Sequence, residues 1–145
     1  MTWPAPRPGL VIRYSYLWSR ESAAGREEGG AKDRPCAIVL AVKQDGEGRI
    51  YVLPVTHSAP SNPDDAVELP PAIKTRLNLD DQRFWIVVTE TNSFLWPGPD
   101  LRFVPGQGPD SAAMGYLPPG LFRLVRDRFL ANARRGKIAV TKRTE

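Results

Sequence analysis

Two of the side chains best equipped for proton transfer or nucleophilic attack occur once each in this sequence, Cys36 and His57. One histidine and one cysteine cannot assemble the usual structural zinc sets from a single chain, and a lone cysteine excludes an internal disulfide. Cys36 lies inside the apolar run "PCAIVLAV", where a thiol is more often a small inert hydrophobe than a nucleophile. His57 has the near-neutral pKa of a general base, and it stands between two hydroxyls, Thr56 and Ser58, in "VLPVTHS". The remaining anomaly is Arg34. In "KDRPCAIVLAV" three charged residues press directly against a stretch that reads as a buried strand, so a permanent charge stands at the mouth of the core. Taken by itself, Arg34 is a strand-end arginine that faces solvent or pairs with Asp33.

The elements that must position these residues are legible from periodicity. "GLVIRYSYLW" alternates, with Ile12, Tyr14, Tyr16 and Trp18 on one side and Val11, Arg13, Ser15 and Leu17 on the other, the pattern of a half-buried strand. The polar, glycine-bearing "SRESAAGREEGGAKD" has no periodicity and reads as a long mobile loop. "RPCAIVLAV", the turn signal "DGEG" and "RIYVLPVTHS" read as a hairpin over residues 34 to 58. If the turn falls there, Arg34 at the start of one strand and Thr56 at the end of the next must be neighbours. "AVELP" reads as a short strand, "PPAIKTRLNL" as a short helix opened by proline, and "RFWIVVTET" as one more strand. "WPGPDLRFVPGQGPD" reads as irregular loop with at most one short strand. "LPPGLFRLVRDRFLANARR" is a terminal helix with Leu121, Val125 and Phe129 on one stripe, and "GKIAVTKRTE" an edge strand or a disordered tail. The expected architecture is mainly β with small helices, a strongly bent sheet or partly open barrel closed by a C-terminal helix.

With 145 residues, 41% of them hydrophobic and 25% charged, the chain has the size and composition of one globular domain, 1–145. No apolar run approaches the roughly 20 residues that cross a bilayer, and "MTWPAPRPGL" lacks the features of a secretory signal. A cytoplasmic, non-membrane protein is therefore expected. The net charge of +4 is concentrated late: from Arg123 onward eight Lys/Arg face two Asp/Glu. That distribution suits contact with nucleic acid or another polyanion, and equally a solvated basic helix and tail.

Taken in order, "PGLVIRYSYLW", "GREEGGAKDRPCAIV" and "VLPVTHS" resemble three features of the MazF/PemK (Kid-like) family of type II toxin–antitoxin endoribonucleases. These are the opening Gly-x-apolar strand, the glycine-containing loop that ends in Arg-Pro before an apolar strand, and the threonine-bearing strand end. The resemblance continues through "RFWIVVTETNSF" and the last helix and covers roughly residues 8 to 133, leaving a basic tail at about 134–145. It implies a homodimer of SH3-like barrels that cleaves single-stranded RNA at specific sequences without metal or other cofactor. Such cleavage leaves a 2′,3′-cyclic phosphate and a 5′-hydroxyl, inhibits growth, and is blocked by a cognate antitoxin protein. Arg34 then takes the place of the family's catalytic arginine and Thr56 that of its catalytic threonine. The chemistry is coherent: attack of the 2′-oxygen loads charge onto the non-bridging phosphate oxygens, which a guanidinium fork holds bidentately. Pro35 and the apolar residues after it would fix that fork in place.

Around this pair, Lys32, Arg26 and Arg20 are candidate phosphate contacts, as is Ser58. Asn92 and Trp96 are candidates for reading or stacking bases, Trp96 being equally a core or dimer-interface residue. His57 is assigned to proton transfer on chemical grounds, although alternation from Thr56 sends it to the other face unless the strand ends there. Trp3, Phe94 and Trp96 are expected to be exposed and so to favour a dimer. Two other readings remain: a non-catalytic SH3-like binding module, comparable to the gyrase-binding CcdB toxins or to RNA- or protein-binding domains, and a family member that binds but no longer cuts.

Overall fold

A computed structural model describes residues 4–23, 32–44, 47–104 and 111–143. Its strands are β1 (Leu10–Tyr16), β2 (Lys32–Gln44), β3 (Glu47–Thr56), β4 (Ala66–Glu68), β5 (Trp85–Val87), β6 (Glu90–Leu95), β7 (Ala113–Tyr116) and β8 (Ala139–Lys142). The helices are α1 (Ser19–Ala23), α2 (Pro71–Arg76) and α3 (Pro119–Arg134), with a 3-10 turn at Pro63–Asp65. The strands run in the order β4-β5-β3-β2-β1-β7, with β6 added to β3 and β8 to β6. All pairings are antiparallel except β6–β8, and the sheet curls strongly into a half barrel.

Alternation explains why one sheet organises two cores. On one side Val11, Ala37, Val39, Leu53 and Val55 meet α2 and the inward stripe of α3, Val125 and Phe129. On the other, Ile12, Tyr14, Tyr16, Trp18, Cys36, Ile38, Ile50 and Val52 gather with Phe94 and Leu101. The period-2 reading of β1 therefore holds, but its second face is covered rather than wet, because a core cluster packs on each side of the sheet. Burying each of these large side chains contributes about 1.5–3 kcal/mol. A bulge between Ile38 and Leu40 deepens the bend.

The hairpin of β2 and β3 forms as expected, paired from Gln44↔Glu47 to Cys36↔Pro54. "RFWIVVTET" does not form one strand. It bends after Val87 so that β5 pairs with the end of β3 (Thr56↔Trp85) and β6 with its beginning (Val52↔Asn92). Val88 N–H donates to Asp65 O at the bend, and Thr89 O accepts from Ala139 N–H. Two ladders on one curled strand need that break. The sequence reading gave no strand at β7, where Gly115 at φ 142° weakens the local signal. The strand exists through its pairing with β1, Leu10↔Tyr116. In "WPGPDLRFV" only an isolated bridge, Leu101↔Tyr14, is formed.

The basic C-terminal segment resolves as a strand: β8 lies parallel along β6, and Arg143 behind it is buried. Arg143 Nη1 donates to Ser15 O at 2.6 Å and to Asn92 Oδ1 at 3.1 Å, and Nη2 sits 3.2 Å from Asp100 Oδ1. A charge so deep persists because a carboxylate and two oxygens meet it. The expectation of exposed aromatics is corrected here. Phe94 is 1% exposed and stacks on Tyr14 with centroids 4.8 Å apart, while Trp96 is half-buried against the same cluster. Trp3 lies outside the described residues. Among those residues no helix is long and apolar enough to cross a membrane.

Candidate functional site

The site is built where β2 enters the sheet. Successive residues of a strand point to opposite faces, and at this entrance the chain separates two opposite charges. Asp33 turns to Arg13 (3.6 Å) and Arg102 (3.4 Å). Arg34 turns to the aromatic side, with its Cζ 5.0 Å from the centroid of the Trp18 ring. Its one hydrogen bond is a long one, Nη1 to Val55 O at 3.4 Å, and its Nε is buried without an acceptor. Among the described residues Arg34 has no carboxylate partner, so its charge is held in place without being neutralised. The reading in which Arg34 pairs with Asp33 is corrected by this geometry.

Thr56 closes β3. The β2–β3 register, continued two residues past Cys36↔Pro54, sets Arg34 opposite Thr56, and the bond from Arg34 to the Val55 carbonyl spans that gap. Val55 belongs to the core on the α3 side, so Thr56 faces the same side as Arg34. Its Oγ1 accepts from Ser58 N–H at 3.2 Å, a local turn that ends the strand and keeps the hydroxyl near Ser58. The hairpin thus brings the backbones of Arg34 and Thr56 to one end of the β2–β3 pair, with Ser58 turned back onto Thr56. That set can bind a phosphodiester or comparable oxyanion.

His57 goes the other way. Its ring packs on Phe84 with centroids 4.1 Å apart, and Phe84 belongs to the α3-side core. Nδ1 lies 3.0 Å from Arg83 O; a carbonyl only accepts, so Nδ1 carries the hydrogen. Nε2 is 4.0 Å from Asp80 Oδ2. The geometry therefore does not bring His57 to Arg34, and the proton-transfer role given it on chemical grounds has no support from its position. Asn92 is fully buried: its Oδ1 accepts from Leu17 N–H at 2.9 Å and its Nδ2 donates to Leu17 O at 2.8 Å. It therefore anchors the exit of β1, and its burial leaves no edge open to a base. Trp96 packs into the aromatic cluster, the core alternative. Lys32 pairs with Tyr16 at the start of β2, and Arg26 lies outside the described residues.

Two residues near the site, Trp18 and Glu90, carry no role in the sequence reading. Trp18 is 9% exposed and carries a second guanidinium, that of the candidate phosphate contact Arg20, 5.1 Å from its centroid. Glu90 accepts from Ser19 N–H (2.9 Å) and Tyr16 Oη–H (3.0 Å), fixing α1 on β6. The alternation of β1 already placed Trp18 on the face that Arg34 enters, so the signal was present. Cys36, beneath Arg34, is buried; desolvation pushes its thiol above the usual range, and the charges of Arg34 and Arg143 offset this only in part. It is no nucleophile at neutral pH. No protein-family profile, no curated protein and no solved structure matches the chain, so its function has to be read from this site.

Proposed function

We propose that the protein is a toxin-type endoribonuclease of the MazF/PemK kind, an SH3-like barrel that cuts single-stranded RNA by attack of the 2′-hydroxyl on the adjacent phosphate. The observation that carries this reading is Arg34. It is a half-buried guanidinium with no carboxylate partner among the described residues, held against Trp18 and bonded to the carbonyl of Val55, the residue before Thr56. An unspent, preoriented cation is what a developing oxyanion requires, and such groups typically account for about 10²–10³ in rate. In this reading Arg34 takes the charge that builds on the non-bridging oxygens. Thr56 and Ser58 hydrogen-bond the phosphate, and the products are a 2′,3′-cyclic phosphate and a 5′-hydroxyl. The active form is a homodimer in the cytoplasm, restrained by an antitoxin that covers the RNA-binding face.

The test is incubation with a long, weakly structured single-stranded RNA in excess EDTA, alongside Arg34→Ala and Thr56→Ala, with fragment termini identified. Discrete cuts bearing 2′,3′-cyclic phosphate and lost in both variants support the proposal. RNA left intact by the folded wild-type protein overturns it in favour of a non-catalytic binding module.

A further inference from the structure

Arg34 carries five N–H donors, yet its only hydrogen bond among the described residues is the 3.4 Å contact to Val55 O. So long a bond does little to fix a side chain with four rotatable bonds. What confines it is the indole of Trp18, 5.0 Å below Cζ. Cation–π attraction strengthens as water is excluded, and here Trp18 is 9% exposed while Arg34 Nε is fully covered.

Trp18 is itself pinned. Its ring meets Tyr16 edge-on at 5.2 Å, its backbone N–H donates to Glu21 Oε1 at 3.2 Å, and α1 behind it is tied to Glu90 through Ser19 N–H and Ser19 Oγ. Asn92 holds both the N–H and the carbonyl of Leu17, the residue before it. The exit of β1 is thus fastened to β6 on both sides of the indole.

We propose that Trp18 is a positioning residue for Arg34. Its ring face replaces the carboxylate that would ordinarily orient a buried arginine, fixing the guanidinium without cancelling its charge. A carboxylate in that place would quench the cation and leave less for a substrate anion; a ring quadrupole orients it and leaves the donors unspent. Its consequence for catalysis rests on the ribonuclease reading above, whereas the contact itself can be tested without RNA.

The experiment compares wild-type protein with Trp18→Phe and Trp18→Leu at a temperature where circular dichroism finds all three folded. Two readouts are taken. In ¹⁵N-labelled protein the Arg34 Nε–H resonance is assigned by its loss in Arg34→Lys. In the wild type it is expected to be displaced upfield and slow to exchange with solvent. Trp18→Leu should return it towards the free-arginine position and speed its exchange at least tenfold, with Trp18→Phe in between because a smaller π face remains. In the RNA assay kcat should fall about tenfold or more in Trp18→Leu and less in Trp18→Phe, with KM changing under threefold.

An Nε–H resonance that is unchanged in Trp18→Leu overturns the proposal whatever the RNA assay gives. A shifted resonance in a protein whose wild type cuts no RNA upholds the contact and removes the ribonuclease reading. A shifted resonance with undiminished cleavage in Trp18→Leu overturns the positioning role.

Discussion

Asp33 and Arg34 are adjacent in sequence and part at the entrance of β2: Asp33 joins Arg13 and Arg102, while Arg34 turns in to Trp18. One peptide unit thus separates a solvent-side cluster of one carboxylate and two guanidiniums from a cation with no carboxylate partner among the described residues. A one-residue slip of β2 would exchange the two and remove the site, so the site depends on register as much as on residue type.

Arg34→Ala should reduce RNA cleavage at least about 100-fold while leaving the thermal midpoint within a few degrees or raising it, because an unneutralised half-buried charge is removed. Arg34→Lys keeps the charge and loses the fork, and should recover only a small part of the rate. Cleavage kinetics and calorimetry on the two variants check this; a collapse of the fold in Arg34→Ala would contradict it.

His57→Ala should lower kcat less than tenfold. A general base is typically worth about 10²–10⁴, and this ring is committed to Phe84 and the Arg83 carbonyl on the far side of the strand end. A loss of two orders of magnitude at unchanged stability would restore His57 to the reaction.

Asn92→Leu should be among the most destabilising single changes, at about 2–4 kcal/mol. It strands the buried N–H and carbonyl of Leu17 and takes an acceptor from Arg143. Arg143→Leu should cost about 3–5 kcal/mol by removing the cation beside buried Asp100. Urea unfolding of each variant supplies the values.

Stability should fall in alkali. Burial is the main cause that raises the phenols of Tyr14 and Tyr16 and the thiol of Cys36 above their ordinary values, with the Glu90 charge adding to the effect at Tyr16. All three stay neutral in the fold and ionise first in the unfolded chain. Their contribution is therefore complete below the unfolded pKa values, about 8.5 for the thiol and about 10 for the phenols. It declines above them by about 1.4 kcal/mol per pH unit for each group. Urea titrations at rising pH should show one slope from the thiol and a steeper one once the phenols join. Cys36→Ala should remove the first.

The parts of the fold that were legible are those whose signal is local. The alternation of β1, the hairpin that brings Arg34 to Thr56 and the apolar stripe of α3 follow from periodicity and turn chemistry. What stayed hidden depends on partners far along the chain. β7 is a strand only because β1 pairs with it, and the break between β5 and β6 arises because β3 curls. Asn92 resembled a surface residue because nothing nearby in sequence announces that Leu17 and Arg143 will close on it. His57 is a different case: imidazole chemistry argues for the reaction while strand alternation argues against it, and the ring lies on the side that alternation gives.

Arg143 donates to the carbonyl of Ser15, a contact closed between residues 128 positions apart, and Tyr14 bridges Leu101 in the same region. Chains dominated by such pairings search slowly, on the order of milliseconds to seconds, because loop entropy is spent before the contact repays it. β1 is also paired on its far edge only when β7, about 100 residues later, arrives, and an edge left open until then is a template on which chains pair with one another. Refolding yield should therefore drop steeply with protein concentration, the kinetic counterpart of building one strand into two cores.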